Sequence, residues 1–323
     1  MVQGSDAVAR PSTVIGFHEL ARSTSYRCER RPRPTGQGYE RKRPPSIETW
    51  EAPPSRVEVK RTRLEASFEA VDAHCHLDRM AEAEVVPKHS SLARVSNHID
   101  PHKGYEPWKC YSEEGVYFTV GCHPRQVRAM TEKDWKDMEV AAEHPRVVGV
   151  GETGLDKVSM NDGRKYEEQL SALAKHVDLA MRTGKPLVLH CRESEPEVIM
   201  RELDRLSQGH PIMWHAVGVL PGADLLPVVC ERYSGMVFGI GTMLLGVKGE
   251  LVERAVESVV RSVPLSRLVL ETDSPHLSCV RSREGQSADV WWVGRRVAEV
   301  LQKDIREVMR TTAETAVSFF GLK

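Results

Sequence analysis

From residue 68 onward, short apolar runs alternate with longer stretches of helical periodicity, a pattern that restricts the chain to β/α units around a mainly parallel sheet. The runs fall at 68–73, 93–96, 116–120, 147–150, 187–189, 212–214, 236–240 and 268–270, the weakest being 93–96. Amphipathic periods at 132–143, 166–182, 197–206, 225–232 and 251–260 separate them, and two more, at 290–301 and 305–320, close the chain. Eight strands with about as many helices predict an α/β fold of the (β/α)8 TIM-barrel kind, with a doubly wound open sheet as the alternative. No repeat of fixed period is present. A length of 323 residues suits one barrel of about 250 residues preceded by a tail.

The charge is segregated accordingly. Residues 1–63 hold 13 Lys and Arg against 7 Asp and Glu, whereas the remainder holds 32 against 39, so an excess of six positive charges faces a deficit of seven. Seven prolines, with few apolar residues between them, leave this opening segment unable to bury enough surface to order itself. The expected organisation is a disordered, basic, Pro- and Arg-rich tail over 1–66 and a folded barrel over 67–323. The tail reads either as an arm for nucleic acid or nuclear import, centred on Arg41, Lys42 and Arg43, or as a solvated leader. No stretch approaches the roughly 20 apolar residues that span a bilayer, and the N-terminus lacks the pattern of a secretory signal. Seven widely spaced cysteines without a C-x-x-C pair read as reduced thiols. An intracellular protein, nuclear or cytoplasmic, monomeric and without a membrane partner, is the expectation.

The polar residues at the end of each apolar run carry the chemistry. Val71 leads to Asp72, Ala73, His74, Cys75 and His76; Val120 to His123; Val150 to Glu152; Leu189 to His190; Trp214 to His215; Leu270 to Glu271 and Asp273. In a parallel barrel the carboxyl ends of all strands open on one face, so residues some 200 positions apart converge there. His74 and His76, two apart on a strand, project to one side and can grip one cation. A lone H-x-H means little, but six ligand-type residues at successive strand ends are hard to explain by packing, because a buried carboxylate such as Glu152 or Asp273 costs several kcal/mol unless paired or coordinated. The residues alone therefore predict a metal site at the barrel's open face.

Several further residues admit two roles. His123 and His276 sit just beyond strand ends and either line the site, where they would bind phosphate, or serve turn structure. Arg192 could clamp a phosphate through its guanidinium fork, or pair with Glu193 or Glu195 at the surface. His18, His89, His98, His102, His144, His176 and His210 fall in loops, the tail or helical stretches and are read as background. Cys75, Cys122 and Cys191 adjoin histidines of interest but point to the opposite strand face, where they pack as small hydrophobes unless one of them touches metal.

At these residues the chain closely resembles the TatD family of metal-dependent nucleases, a branch of the amidohydrolase-like barrels. The matching motifs are VDAHCHLD (71–78), GCHP (121–124), VGVGETGLD (148–156), KPLVLHCRES (185–194), WHAVG (214–218) and LVLETDSPHL (268–277). TTAETAVSFFGL (311–322) is similar to the family's final helix, with Glu314 where Asn is usual. The resemblance implies a hydrolase of DNA or RNA phosphodiesters, commonly a 3′-to-5′ exonuclease favouring single strands, with two divalent ions, Mg²⁺ or Mn²⁺, and Zn²⁺ as the alternative. It implies that His74, His76 and Asp273 hold one ion, His190 and His215 the other, and that Glu152 bridges them. Two cations about 3.5–4 Å apart lower the pKa of a bridging water and polarise the phosphoryl oxygen. Asp273 is then the general base, and Glu152 is the second catalytic residue.

The substrate-facing segments depart from that pattern. Ala216, Val217, Gly218 and Val219 stand where the family usually has Cys-Phe-Ser/Thr-Gly, Lys157 replaces a frequent aromatic, and RSREGQSAD (281–289) lacks an Asn-x-Pro. Substrate stacking is expected to differ more than the chemistry. Two alternatives to a nuclease are kept: a barrel hydrolase of amides or small phosphoesters, and a catalytically weak nucleic-acid-binding protein.

Overall fold

A computed structural model describes residues 68–80, 91–157, 163–192, 196–216, 226–280 and 282–323. The tail over 1–66 lies outside the described residues. Eight strands, β1 (Ala70–Cys75), β2 (Leu92–His98), β3 (Val116–Val120), β4 (Val147–Asp156), β5 (Leu187–Arg192), β6 (Ile212–Trp214), β7 (Met236–Ile240) and β8 (Leu268–Leu270), form one sheet in chain order. All seven neighbouring pairs are parallel. A doubly wound sheet reverses its strand order at a switch point, so this unbroken order excludes it.

The sheet is nearly closed. Just beyond the end of β8, Asp273 N donates to His74 O at 2.9 Å and Ser274 O accepts from His76 N at 2.7 Å. Below them the Asp72 carboxylate accepts from Thr272 N at 2.9 Å and from Thr272 Oγ1 at 2.7 Å. The seam between the first and last strands is thus tied largely by a side chain and by the residues just after β8.

Strand periodicity sorts the core into two layers. Val188, Met213, Val237 and Val269 belong to an inner cluster with Ala313, Ala316, Phe320 and Leu322. Their neighbours Leu187, Leu189, Ile212, Trp214, Met236, Phe238, Leu268 and Leu270 belong to an outer cluster with helix residues such as Leu173, Val177, Ile199, Val259 and Val293. This is the period of two expected of strands covered on both faces.

The helices are α1 (Glu132–Ala142), α2 (Gly163–Thr183), α3 (Pro196–Leu203), α4 (Leu226–Arg232), α5 (Glu250–Ser262), α6 (Val290–Leu301) and α7 (Ile305–Phe320). Thr131 starts α1 through a capping box with Asp134, and the Asp304 side chain accepts from Arg306 N at the start of α7. Helix α7 supplies the apolar residues that join the inner cluster.

The β2–β3 crossing, where the sequence shows no helical period, carries two short 3₁₀ turns, Pro101–Lys103 and Pro107–Lys109, each opened by the proline that suits a first helical position. Two expectations are corrected. His98, expected in a loop, ends β2 and is buried. Strands β4 and β5 run beyond their apolar residues, so Glu152 and His190 lie within strands rather than after them. Gly154 permits this, because a Cβ there would lie 1.8 Å from His190 O and φ is 146°.

Candidate metal centre

Strand β1 gains one residue on β2 between Asp72 and Cys75, a bulge that re-aims the residues leaving the strand. His74 and His76 turn their Nε2 atoms to Glu152 Oε2, at 3.5 and 3.9 Å, and to Asp273 Oδ1, at 3.8 and 3.2 Å. His76 Nδ1 lies 3.0 Å from Asn97 O, which only accepts, so Nδ1 carries a proton towards it. The neutral form of His76 then leaves Nε2 as a lone pair aimed at the centre. Asp273 sits at φ 59°, a left-handed conformation that Asp tolerates better than most residues.

Glu152 lies between two groups of imidazoles. Its Oε1 is 2.6 Å from His190 Nδ1, 3.8 Å from His215 Nε2 and 3.9 Å from His123 Nε2, while Oε2 faces His74 and His76. His215 stacks on His74 with ring centroids 3.6 Å apart, and its Nδ1 lies 2.9 Å from Glu271 Oε2. The second oxygen of Glu271 accepts from Ala216 N at 2.8 Å. Gly239 on β7 leaves room for this carboxylate, since a Cβ there would lie 2.3 Å from Oε2.

Burial and charge oppose one another throughout. Burial and the neighbouring His215 hold His74 below the usual imidazole range, so it is neutral. Burial pushes Glu152 and Asp273 up, but the surrounding imidazoles outweigh it and hold both carboxyls below their ordinary values. Burial pushes His215 down, and the Glu271 carboxylate more than reverses this, to about 10.

The donor set fits divalent cations. His74 is fully buried and neither ring nitrogen has a hydrogen-bond partner, an expensive state for an imidazole that donates to no other group. Several nitrogen-to-carboxylate separations of 3.5–3.9 Å are too long for hydrogen bonds. They approach the roughly 3.3 Å that separates two ligands on one tetrahedral ion with bonds of about 2.0–2.1 Å.

The remaining candidates fall at different depths. His123 Nδ1 accepts from Arg125 N at 3.1 Å and so starts the turn Pro124–Ala129, while its ring lies 4.6 Å from that of His190. His276 lies at the rim, its ring 5.7 Å from that of His76. Arg192 ends β5 beside Asp156 and makes no ion pair among the described residues; Glu193 and Glu195 lie outside them. Cys75 and Cys191 pack in the outer cluster, and the buried Cys122 directs Sγ to His123 O.

Sequence reasoning passed over three partners of this centre. Glu271 lies behind His215, and Asp156 is fully buried with Oδ2 3.8 Å from His190 Nε2. Both stand inside motifs already singled out, two residues before Asp273 and four after Glu152. His176, read as background, is fully buried: its Nε2 accepts from Cys122 N at 3.0 Å, and Nδ1 lies 2.7 Å from Ala172 O. It pins the segment before His123 to α2.

The family model described as "TatD related DNase" matches residues 71–321. The chain belongs to the TatD family. Like other members, this TatD protein is a metal-dependent hydrolase. It is 28% identical over 275 residues to an uncharacterized metal-dependent hydrolase TatD of Mycobacterium tuberculosis, covering 78% of this chain and 98% of that one. It is 27% identical over 215 residues to the 3′-5′ ssDNA/RNA exonuclease TatD of Edwardsiella piscicida, covering 63% and 77%. The human 3′-5′ RNA nuclease TATDN2 is 26% identical over 238 residues, 68% of this chain but 30% of that protein. Among solved structures, YJJV, a TatD homolog from Escherichia coli, superposes with a TM-score of 0.62 at 20% identity, covering 79% of this chain and 99% of that one. That likeness shows the barrel is shared. No helix among the described residues is long and apolar enough to cross a membrane.

Proposed function

We propose that this TatD protein is a divalent-metal-dependent nuclease that hydrolyses phosphodiester bonds of DNA or RNA, acting as a 3′-to-5′ exonuclease on single strands. The observation that carries this reading is the position of Glu152, with one carboxylate oxygen towards His74 and His76 and the other towards His190 and His215. The names of the relatives from Edwardsiella piscicida and human supply the nucleic-acid substrate.

In this reading His74, His76 and Asp273 hold one ion, His190 and His215 the other, and Glu152 serves both. Mg²⁺, Mn²⁺ or Zn²⁺ would polarise the phosphoryl oxygen and lower the pKa of the attacking water. Asp273, whose side chain is 20% exposed against 3% for Glu152, is the carboxylate that the water reaches and takes its proton. His123 supplies a neutral donor. Burial holds its ring down at about 3, and because Nδ1 accepts from Arg125 N, the proton sits on Nε2, facing the centre. Arg192 and the rim residue His276 would meet phosphates flanking the scissile one, and the basic tail over 1–66 would add general affinity for the strand.

The test is cleavage of matched end-labelled single-stranded DNA, single-stranded RNA and duplex by the purified full chain with Mg²⁺, Mn²⁺ or Zn²⁺. Stepwise shortening of single strands from the 3′ end, stopped by EDTA, is expected. Intact substrates under every metal would remove the nuclease reading.

A further inference from the structure

Besides Glu271 behind His215, a second buried carboxylate outside the six residues of the centre faces an imidazole of the cluster. Asp156, the last residue of β4, is fully buried. Its Oδ2 lies 3.8 Å from His190 Nε2 and 2.9 Å from Arg125 Nε, and its backbone N–H donates to Gln169 Oε1 at 3.0 Å. Gln169, buried on α2, donates through Nε2 to Pro124 O at 3.3 Å and to Asp156 O at 3.4 Å. Asp156 is thus fixed by β4, α2 and the turn after β3 together. His190 presents opposite ring edges to two carboxylates: Nδ1 to Glu152 at 2.6 Å and Nε2, buried and without a hydrogen-bond partner, to Asp156.

Two readings of this arrangement compete. His123, Asp156 and His190 are grouped closely enough to hold a cation of their own. Against that, the Asp156 oxygen nearest His190 is already held by the Arg125 guanidinium, and a cation there would sit beside a fixed positive charge. One imidazole would also have to serve two ions through both nitrogens. A carboxylate that faces one nitrogen of a metal-holding histidine instead fixes the ring's orientation and its tautomer, leaving the other nitrogen as the ligand.

We infer that Asp156 is a positioning residue, which receives the Nε2–H of His190 and so presents Nδ1 as the ligand on the Glu152 side. The inference rests on the proposal that His190 holds a cation. The two hydrogen bonds between Gln169 and the Asp156 backbone hold this residue beside His190, and Arg125 adds an ion pair to its carboxylate. With a cation held at His190 Nδ1, the Nε2–H would be the proton left to face Asp156, 3.8 Å away in this structure. A purely structural role would lie in the Arg125 ion pair and the Gln169 bonds alone, so removing Arg125 separates the two roles.

The test is titration of the metal-stripped full chain with Zn²⁺ alone, followed calorimetrically, together with the thermal midpoint of each metal-free protein. Wild type is expected to take up two ions. Asp156→Asn and Asp156→Ala should each weaken one of them by about 10–100-fold and leave the other within about twofold. Arg125→Ala should leave both within about twofold while lowering the midpoint at least as much as Asp156→Asn. Long-range ¹⁵N–¹H correlation on the Zn²⁺-loaded wild type should show His190 protonated at Nε2. Unchanged affinities in a folded Asp156→Ala protein, equal weakening by Arg125→Ala, or a proton on Nδ1 would each overturn the inference. Uptake of two ions combined with any of these results would leave the metal centre standing without Asp156. Failure of wild type to bind Zn²⁺ would remove both, whereas tight binding without nucleic-acid cleavage would remove only the nuclease reading.

Discussion

His215 Nδ1 lies 2.9 Å from Glu271 Oε2, and the other oxygen of the same carboxylate takes the N–H of Ala216 at 2.8 Å. Glu271 therefore orients the ring and the peptide just after it. Glu271→Ala leaves the buried His215 Nδ1–H and the half-buried Ala216 N–H unanswered, which should lower stability by about 1–3 kcal/mol in urea unfolding. It should also weaken Zn²⁺ binding by about 10–100-fold. A variant with unchanged metal affinity would show that His215 needs no such support.

Gly239 is expected to be as sensitive as the carboxylate it faces. In Gly239→Ala the new methyl would lie 2.3 Å from Glu271 Oε2 and push the carboxylate off His215. Because both substitutions act on one contact, Gly239→Ala combined with Glu271→Ala should cost less than the two separate losses together. Additive losses in urea unfolding and Zn²⁺ affinity would contradict a shared mechanism.

Glu152→Ala should abolish turnover, by more than about 100-fold, since one side chain serves both groups of imidazoles. The far-ultraviolet circular dichroism should be unchanged, because the strands pair through their backbones. Turnover retained at a tenth of wild type would refute the central place given to Glu152.

The metal-free protein should lose stability as pH rises from about 6.5 towards 10. His215 is held up to about 10 in the folded chain against 6.5 when unfolded, so its pairing with Glu271 contributes fully below pH 6.5 and is lost as pH climbs through the folded value. Cations compete with that proton, so Zn²⁺ affinity should rise over the same window and binding should release protons. Urea midpoints across the pH range, with Glu271→Ala as the control that lacks the slope, test this directly.

Removal of residues 1–63, with 13 basic against 7 acidic side chains, should weaken binding to single strands mainly at low salt. The slope of log affinity against log salt should become shallower. An identical slope would mark the segment as a leader without a binding role.

The barrel and the centre were legible in the sequence for one physical reason. Covered parallel strands are continuous apolar runs, so the polar residues that interrupt or succeed Val71, Val150, Leu189, Trp214 and Leu270 stand out. The same contrast fails for Asp156 and Glu271. Each lies in a motif with an obvious candidate, and whether a carboxylate faces the centre or stands behind an imidazole depends on strand register, including the bulge in β1 and the glycines of β4 and β7. His98 was misplaced because β2 is polar in its last residues, and His176, which lies on a helix as read, gave no sign of its burial because a buried histidine on a helix looks like an exposed one. The β2–β3 crossing gave no helical period, and its prolines explain why.

The seam closed by Asp72 and Thr272 joins positions 200 residues apart, and His74, His76 and Asp273 meet only across it. A chain emerging from the ribosome carries its first two histidines long before the aspartate exists. Until β8 docks, the growing polypeptide has no complete set of candidate ligands, so the centre can assemble only after Asp273 has been made.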